Sequence, residues 1–200
     1  HIFCEKPLDV TLPAILSAQQ AVKAGGVKLM LGFNRRFDPN FARIGSLVRN
    51  NSIGDPHILR ITSRDPAPPP LEYVKISGGL FLDMSIHDFD MARFITGSEV
   101  KEVYVKGDAL IDPRIKQYDD IETAIIVLTF EYGAMGVIDN SRKAVYGYDQ
   151  RLDGGHRPAG WRCPGSGTSP AADWSPPPQP GCGNRSHRPA RSRSRRGPKA

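Results

Sequence analysis

The sequence predicts an α/β segment followed by an incomplete α+β domain, whose sheet is open, mostly antiparallel and covered by helices on one face. Three observations support this prediction. A strand, a helix and a second strand open the chain, a helix with ionisable side chains on its inward face lies in the middle, and long alternating strands follow it. The 200 residues therefore divide into residues 1–33 and 34–150, with a third region, 151–200, of different composition.

In the first segment, residues 1–4 are the predicted end of a strand, and Glu5-Lys6-Pro7 is the loop at its carboxyl end. Apolar residues at helical spacing then predict a helix that ends at Gly25-Gly26. An apolar run over residues 27–33 predicts a second, buried strand. A strand, a helix and a strand in this order indicate a βαβ unit of a parallel sheet.

The second segment begins with Asn34-Arg35-Arg36, at the carboxyl end of that strand, where open α/β sheets bind ligands. Two arginines at this point equally suit a solvated turn. Asp38-Pro39 is a typical helix start, a cap followed by a first-turn proline, and the helix is predicted to continue to Gly54. A strand over residues 56–62 and a stiff proline-rich connector over residues 66–70 follow.

The central feature is a predicted helix over residues 83–96, with glycines on both sides. At about 100° per residue, Asp83, His87 and Asp90 share one stripe, which apolar residues flank on both sides. A charged stripe facing a core is costly unless its groups are paired or line a cavity, so the stripe indicates a pocket. A core histidine bonded to the aspartate one turn earlier remains the alternative. The predicted outer face of this helix consists of Ser85, Asp88 and Ala92.

The strands that follow predict the antiparallel sheet. Residues 100–107 and 121–132 are long β segments, and Gly133 supplies a turn into a further strand over residues 134–141. Apolar and polar residues alternate along residues 121–132, which predicts a hairpin with one well-covered face.

Beyond residue 150 the composition changes abruptly. Nine Arg and one Lys stand against two Asp, a net charge of +8, so residues 1–150 carry −2 of the total of +6. The region has Leu152 as its only Leu and contains no Ile, Val, Phe, Tyr or Met. We therefore predict that residues 151–200 are a disordered, basic Pro/Gly/Arg/Ser-rich tail, whose origin is an out-of-frame reading.

The cysteines and the hydropathy of the sequence indicate in which cellular compartment the protein is expected. Cys4, Cys163 and Cys182 are far apart and indicate no disulfide framework. No run of about 18 apolar residues and no signal-type segment is visible, so we expect a cytoplasmic protein without a membrane partner. The chain begins with His1 at once inside a strand, so we expect it to be a fragment.

Two motifs resemble the glucose-fructose oxidoreductase and inositol dehydrogenase family of nicotinamide-dependent enzymes, over about residues 1–150. Glu5-Lys6-Pro7 is similar to that family's loop at the end of its nucleotide-binding half. Gly78-Gly79 precedes an Asp-x-x-x-His-Asp-x-Asp pattern that starts at Asp83. Two motifs in the right order are more specific than either alone. Within the family, inositol 2-dehydrogenases are the members that segments 32–38, 64–66, 86–93 and 140–148 resemble.

The resemblance implies that residues 1–33 are the C-terminal remnant of an NAD-binding Rossmann domain and that residues 34–150 form a domain that receives a polyol. Lys6, Asp83 and His87 match the family's catalytic residues. A histidine with a pKa near 6.5 suits a general base, Asp83 one turn earlier would orient its imidazole, and Lys6 would face the developing alkoxide.

The resemblance also implies binding residues and partners. The cofactor-binding residues are Glu5, Lys6 and Pro7. The substrate-binding residues are Asn34, Arg35, Asp83 and Tyr146. Full-length members are expected to be homo-oligomers, and no metal site is expected. The Gly-x-Gly-x-x-Gly turn that binds pyrophosphate is absent from the 200 residues, so we expect this chain neither to bind NAD tightly nor to oxidise inositol measurably.

Other classes explain less of the sequence. Residues 188–196 are an Arg/Ser-rich run that suits non-specific binding of nucleic acid, but such a tail explains nothing about residues 1–150. A phosphohydrolase built on His87-Asp88 needs further His and Asp ligands. A zinc site would have to use ligands whose spacing fits no compact finger, namely His156, Cys163, Cys182 and His187.

Overall fold

The computed structural model describes residues 1–155 and 160–164, which form two sheets. The first sheet pairs β1 (Ile2–Cys4) in parallel with β2 (Leu29–Leu31), and helix α1 (Leu12–Ala24) connects them. This arrangement confirms the predicted βαβ unit. No residue of α1 is buried, since two short strands offer little surface to cover it.

The second part of the described chain holds the remaining elements. Its helices are α2 (Pro39–Arg49), α3 (Leu71–Ser77) and α4 (Ile86–Thr96). Its strands are β3 (Ile58–Arg64), β4 (Val100–Asp108), β5 (Thr123–Phe130), β6 (Met135–Ser141), β7 (Asp149–Gly155) and β8 (Gly160–Pro164). The 3₁₀ turns Asn34–Phe37 and Pro113–Tyr118, and helix α3, were not predicted, because such short elements show too little periodicity.

These six strands form one sheet in the order β4-β5-β6-β3-β7-β8. Four neighbouring pairs in the described sheet are antiparallel, and β3 and β6 run in parallel with Arg64 opposite Ser141. The predicted mostly antiparallel open sheet is thus confirmed. Because β3 and β6 are parallel, the residues that follow them, Asp65 and Arg142, emerge at the same edge.

The core lies between the sheet and the helices. Alternate residues of β5 point inward, and Ile126, Leu128 and Phe130 are at most 2% exposed. They pack in one cluster with Met91 and Ile95 of α4. Burial of a large apolar side chain contributes about 1.5–3 kcal/mol, so this cluster fixes α4 against the inner face of the sheet.

The central helix differs from its prediction in two respects. A π-helical turn (Phe81–Ser85) precedes α4 directly, and Gly97 ends the helix with φ of 64°, as expected of a glycine there. The predicted outer face was wrong: Ser85, Asp88 and Ala92 are completely buried, at 0% exposure. Helical periodicity groups residues by face, but the strands decide which face is covered. Here β3 and β6 supply polar partners that allow the polar face to be buried.

The predicted boundary at residue 151 was also wrong, since β7 (Asp149–Gly155) crosses it and β8 (Gly160–Pro164) continues the sheet. Leu152 is 1% exposed in the core. Backbone pairing with β3 orders this strand, although most of its residues are polar or glycine. The average composition of fifty residues could not reveal this pairing. The rest of the predicted tail, residues 156–159 and 165–200, lies outside the described residues. The same is true of the basic run of the nucleic-acid hypothesis and of three of the four ligands of the zinc hypothesis, His156, Cys182 and His187. No helix in the described part is long and apolar enough to cross a membrane.

Candidate active site

Lys6 joins the two parts of the chain. It follows β1, and its Nζ donates to the main-chain carbonyl oxygen of Asp83 at 2.5 Å and to Oδ1 of the same residue at 3.3 Å. The carbonyl belongs to the π-helical turn, a feature that is frequent at functional sites. Two residues that are 77 positions apart in the sequence therefore meet as the motifs predicted.

The carboxylate of Asp83 is held by two further donors. The hydroxyl of Tyr73 donates to Oδ1 at 2.8 Å, and Nη2 of Arg142, whose side chain is buried, donates to Oδ2 at 3.1 Å. Burial by itself would raise the pKa of Asp83, but the Tyr73 hydrogen bond and the charges of Arg142 and Lys6 outweigh burial and lower it. Asp83 is therefore ionised at neutral pH.

His87 lies one turn further along the helix, but Asp83 does not orient it. Both oxygens of Asp83 are taken by Tyr73, Lys6 and Arg142, and Nδ1 of His87 is buried without a hydrogen-bond partner among the described residues. The predicted Asp83–His87 bond was wrong, and so was the alternative of a core histidine satisfied by that aspartate. Lys6 and Arg142 reach this carboxylate from distant segments, which helical spacing cannot show.

His87 forms part of the wall of a pocket of about 400 Å³. Its ring is nearly perpendicular to that of Phe33, with ring centroids 6.3 Å apart. Burial lowers the pKa of His87 to about 4, and the charges of Arg35 and Lys6 act in the same direction, whereas Asp88 and Asp90 oppose them. The imidazole is therefore neutral at pH 7, with an unpaired nitrogen.

The predicted substrate-binding residues fall in two places. Asn34 and Arg35 line the same pocket as His87. The hydroxyl of Tyr146 instead accepts from Nη1 of Arg64 at 3.3 Å and donates to Asp149 at 2.9 Å. Asn34 and Arg35 are thus brought to His87, and Tyr146 is not among the residues that line its pocket.

Asp90, the third member of the predicted stripe, is paired rather than free. Its carboxylate accepts from Nε and Nη2 of Arg36 at 2.8 and 2.5 Å, and the guanidinium stacks at 5.5 Å from the centroid of Phe94. This bidentate pair connects the 3₁₀ turn after β2 to α4. Its geometry indicates a structural role.

Sequence reasoning missed three residues of the site: Tyr73, Arg142 and Asp65. Burial raises the pKa of Asp65, the charge of Arg142 opposes this rise, and Asp83 acts in the same direction as burial. These electrostatic effects place Asp65 in the same charged cluster as Asp83. Arg142 and Asp65 follow strands β6 and β3, and only a prediction that those strands are parallel neighbours could have brought them together.

The described residues were also searched for side chains that could bind a metal ion. Across residues 1–155 and 160–164, no group of three or more His, Cys, Asp or Glu side chains could hold a metal ion. Asp88 is bonded to Arg35, Ser63 and Asn140 on the sheet side of the helix, while His87 lines the pocket. The His87-Asp88 pair of the phosphohydrolase hypothesis therefore does not face one site.

A comparison with known families matches residues 41–153 to the GFO/IDH/MocA C-terminal domain, more than half of the chain. The chain belongs to the GFO/IDH/MocA family. The match ends inside β7, which agrees with an ordered strand beyond residue 150. The matched residues contain most of the open, mostly antiparallel sheet.

Individual proteins that are similar to this chain are named as oxidoreductases or dehydrogenases. An uncharacterized oxidoreductase of Bacillus subtilis, YrbE, is 63% identical over 153 residues, which are 76% of this chain and 45% of that protein. Myo-inositol 2-dehydrogenase of Thermotoga maritima is 58% identical over 153 residues, 76% of this chain and 46% of that protein. The chain therefore spans about half the length of the curated relatives it matches.

A solved structure shows what one relative binds. The crystal structure of scyllo-inositol dehydrogenase from Lactobacillus casei with bound cofactor NAD(H) and scyllo-inositol matches with a TM-score of 0.72 at 34% identity. The match covers 82% of this chain and 50% of that one. Proteins named as inositol dehydrogenases are thus among those this chain is similar to.

Proposed function

We propose that this chain is the polyol-binding and proton-transfer part of an NAD-dependent oxidoreductase of the inositol 2-dehydrogenase type. The observation that carries the proposal is that Lys6 is bonded to Asp83, while His87, one helical turn after Asp83, lines a pocket and has a buried Nδ1 without a partner among the described residues. The names of the relatives support a cyclic polyol as the substrate class.

His87 is the general base in this proposal. Oxidation of a secondary alcohol to a ketone removes a proton from the hydroxyl and a hydride from its carbon. Because the pKa of His87 is about 4, its imidazole is neutral at pH 7 and has a lone pair free for the hydroxyl proton. Such a low pKa also makes it a weak base, so the hydroxyl itself must be made more acidic.

Lys6 supplies that effect. Its ammonium group lies at the junction of the two parts, held by the carbonyl and the carboxylate of Asp83. A fixed positive charge beside the hydroxyl stabilises the developing alkoxide. The role of Asp83 is therefore to hold Lys6, rather than to orient His87 as the sequence suggested.

The residues present fit the nicotinamide side of NAD. Glu5, Lys6 and Pro7 follow β1 at the carboxyl edge of a parallel sheet, where such sheets bind ligands. Glu5 covers Gly32 so closely that a Cβ there would lie 2.6 Å from its Oε2. These three residues would hold the nicotinamide side, and NAD, when bound, supplies the hydride acceptor. The pyrophosphate side has no Gly-x-Gly-x-x-Gly counterpart among the 200 residues.

Polyol recognition needs donors and acceptors around the reacting hydroxyl. Asn34 and Arg35 are donors in the wall of the His87 pocket. Asp65 adds a carboxylate that makes no side-chain hydrogen bond to the described residues, and we include it as an acceptor for a hydroxyl. Tyr146 stays in the proposal as a substrate-binding residue, because 66% of its surface is exposed.

Complementation tests the proposed function. The 200-residue chain is co-expressed with the part of Thermotoga maritima myo-inositol 2-dehydrogenase that precedes the matched region, and formation of NADH from NAD and myo-inositol is measured. We expect the co-purified pair to form NADH and the chain alone to form none. His87→Gln should reduce the rate by at least about 100-fold, the usual contribution of a general base.

The control variant is Arg93→Gln on the same helix. Arg93 pairs with Glu99 at the surface, and both side chains are more than half exposed, so the rate should not change. A co-purified pair that forms no NADH, or a His87→Gln pair with full activity, would contradict the proposal.

Two further expectations are part of it. We expect self-association into a homo-oligomer, because the outer face of the sheet exposes apolar side chains, Tyr104, Ile125, Val127 and Met135. A cytoplasmic location and the weaker nucleic-acid alternative also stay expectations. Binding of RNA that is lost on deletion of residues 165–200 would favour the latter.

A further inference from the structure

A buried polar cluster lies beneath the His87 pocket, and Asp88 is at its centre. The carboxylate of Asp88 accepts from Nη1 of Arg35, from Oγ of Ser63 at 2.6 Å and from Nδ2 of Asn140 at 2.8 Å. The amide oxygen of Asn140 accepts in turn from Oγ of Ser85 at 2.6 Å. Asp88, Asn140 and Ser85 are completely buried and Ser63 is 1% exposed, so water cannot replace these bonds.

The Asp88 cluster connects the sheet to the wall of the pocket. Ser63 belongs to β3 and Asn140 to β6, whereas Arg35 belongs to the 3₁₀ turn that follows β2. Arg35 is the one member of the cluster that also lines the pocket with His87, and 11% of its side chain is exposed. Its position therefore depends on partners that come from the far side of the helix.

Stability alone gives little reason for an ion pair in this place. Replacement of a buried ion pair by apolar residues of similar volume is often neutral or stabilising, so such a pair is weak evidence for a stabilising role. We propose that Asp88 is a positioning residue, which holds the guanidinium of Arg35 in the pocket wall beside His87. The consequence for polyol binding rests on the proposed function, whereas the positioning itself does not.

The charges around His87 make this proposal testable, because it predicts the direction in which the pKa of His87 changes. Arg35 and Lys6 face the imidazole as positive groups, and Asp88 and Asp90 as negative groups on its own helix. Arg35 opposes protonation of His87 more strongly than Asp88 favours it. Loss of the Asp88 charge with Arg35 in place would lower the pKa of His87, whereas release of Arg35 would raise it.

The experiment is an NMR titration of His87 in the whole 200-residue chain and in Asp88→Asn. The His87→Gln variant assigns the resonance among the five histidines. We expect the pKa of His87 to rise by about one pKa unit in Asp88→Asn, because a neighbouring cation has moved away. Arg35→Gln should raise it similarly, and the double variant should rise no further than Arg35→Gln. An unchanged or lowered pKa in Asp88→Asn would overturn the proposal.

A second variant keeps the test decisive if Asp88→Asn does not fold. Asp88→Asn combined with Asn140→Asp retains one buried carboxylate and the bond between positions 88 and 140, but Arg35 loses its charged partner. The pKa of His87 should again rise, and an unchanged or lowered pKa would again overturn the proposal. The titration uses neither NAD nor inositol. Loss of the proposed function with an intact rise in pKa would therefore refute the function and leave the positioning role standing.

Discussion

The two sides of the central helix, the sheet side and the cleft side, treat their ionisable groups in opposite ways. On the sheet side, Asp88 is completely buried and both carboxylate oxygens accept hydrogen bonds. On the cleft side, Asp83 is partly exposed and accepts hydrogen bonds from Lys6, Tyr73 and Arg142, while Nδ1 of His87 is buried and unpartnered among the described residues. The six residues from Asp83 to Asp88 thus contribute to two different clusters. In the closed cluster around Asp88 the polar groups are buried and paired, whereas the open cluster at Asp83 and His87 is partly exposed and has an unpaired nitrogen.

The difference separates structure from function. A buried polar group normally finds partners, because an unsatisfied one costs about 1–3 kcal/mol. The sheet side follows this rule through residues of β3 and β6. The cleft side leaves Nδ1 of His87 without a partner among the described residues, on a residue that also lines a pocket. Of the side chains with a buried, unpartnered polar atom in the described chain, His87 is the one that lines this pocket, and the two observations together mark the candidate site.

The largest expected effect comes from opening the closed side. Asp88→Ala leaves Arg35 buried without its counter-charge and removes acceptors from Ser63 and Asn140. We expect the free energy of unfolding to fall by about 3–5 kcal/mol, as measured by urea denaturation. Asp108→Ala is the control: it removes an exposed pair with Lys116 and one hydrogen bond from the main-chain nitrogen of Ala109, so it should cost far less stability than Asp88→Ala. Equal stability of the two variants would remove the distinction between the two sides.

His87, on the cleft side, should make the free energy of unfolding depend on pH. The pKa of His87 is about 4 in the folded chain and near 6.5 when unfolded, so below pH 6.5 the unfolded chain binds the extra proton. Stability is fully present above pH 6.5 and is lost as pH falls toward 4, by up to about 3 kcal/mol. In His87→Gln, the decline in unfolding free energy over this range should be smaller by that amount. An identical decline would show that His87 is not buried as a neutral group.

The smallest effect is expected from Tyr73→Phe. The variant removes one of the donors to Asp83, so the carboxyl pKa should rise toward its ordinary value, as followed by carbon-detected NMR. Because Tyr73 is 43% exposed, the cost in stability should be at most about 1 kcal/mol. Tyr104→Phe on the outer face of the sheet is the matched control. An unmoved Asp83 pKa would show that Lys6 and Arg142 alone hold the carboxylate.

Much of the fold could be predicted from local patterns. The alternation along β5, the cap at Asp38 and the stop at Gly97 are each properties of a few consecutive residues, and each is present as expected. The two motifs likewise predicted that Lys6 and Asp83 belong together. The helix α3 and strands β7 and β8 escaped prediction, because their order depends on the neighbours they pack against.

The sequence by itself determined which residues share a helix face, the order of the strands from β1 to β6, and which family the two motifs resemble. The tertiary structure alone decided which face of the helix is closed. Parallel pairing of β3 and β6 brings Asp65 and Arg142 to Asp83, and the Asp88 cluster brings Arg35 to His87. Electrostatic and hydrogen-bond partners depend on distance in space, and periodicity carries no information about distance between segments.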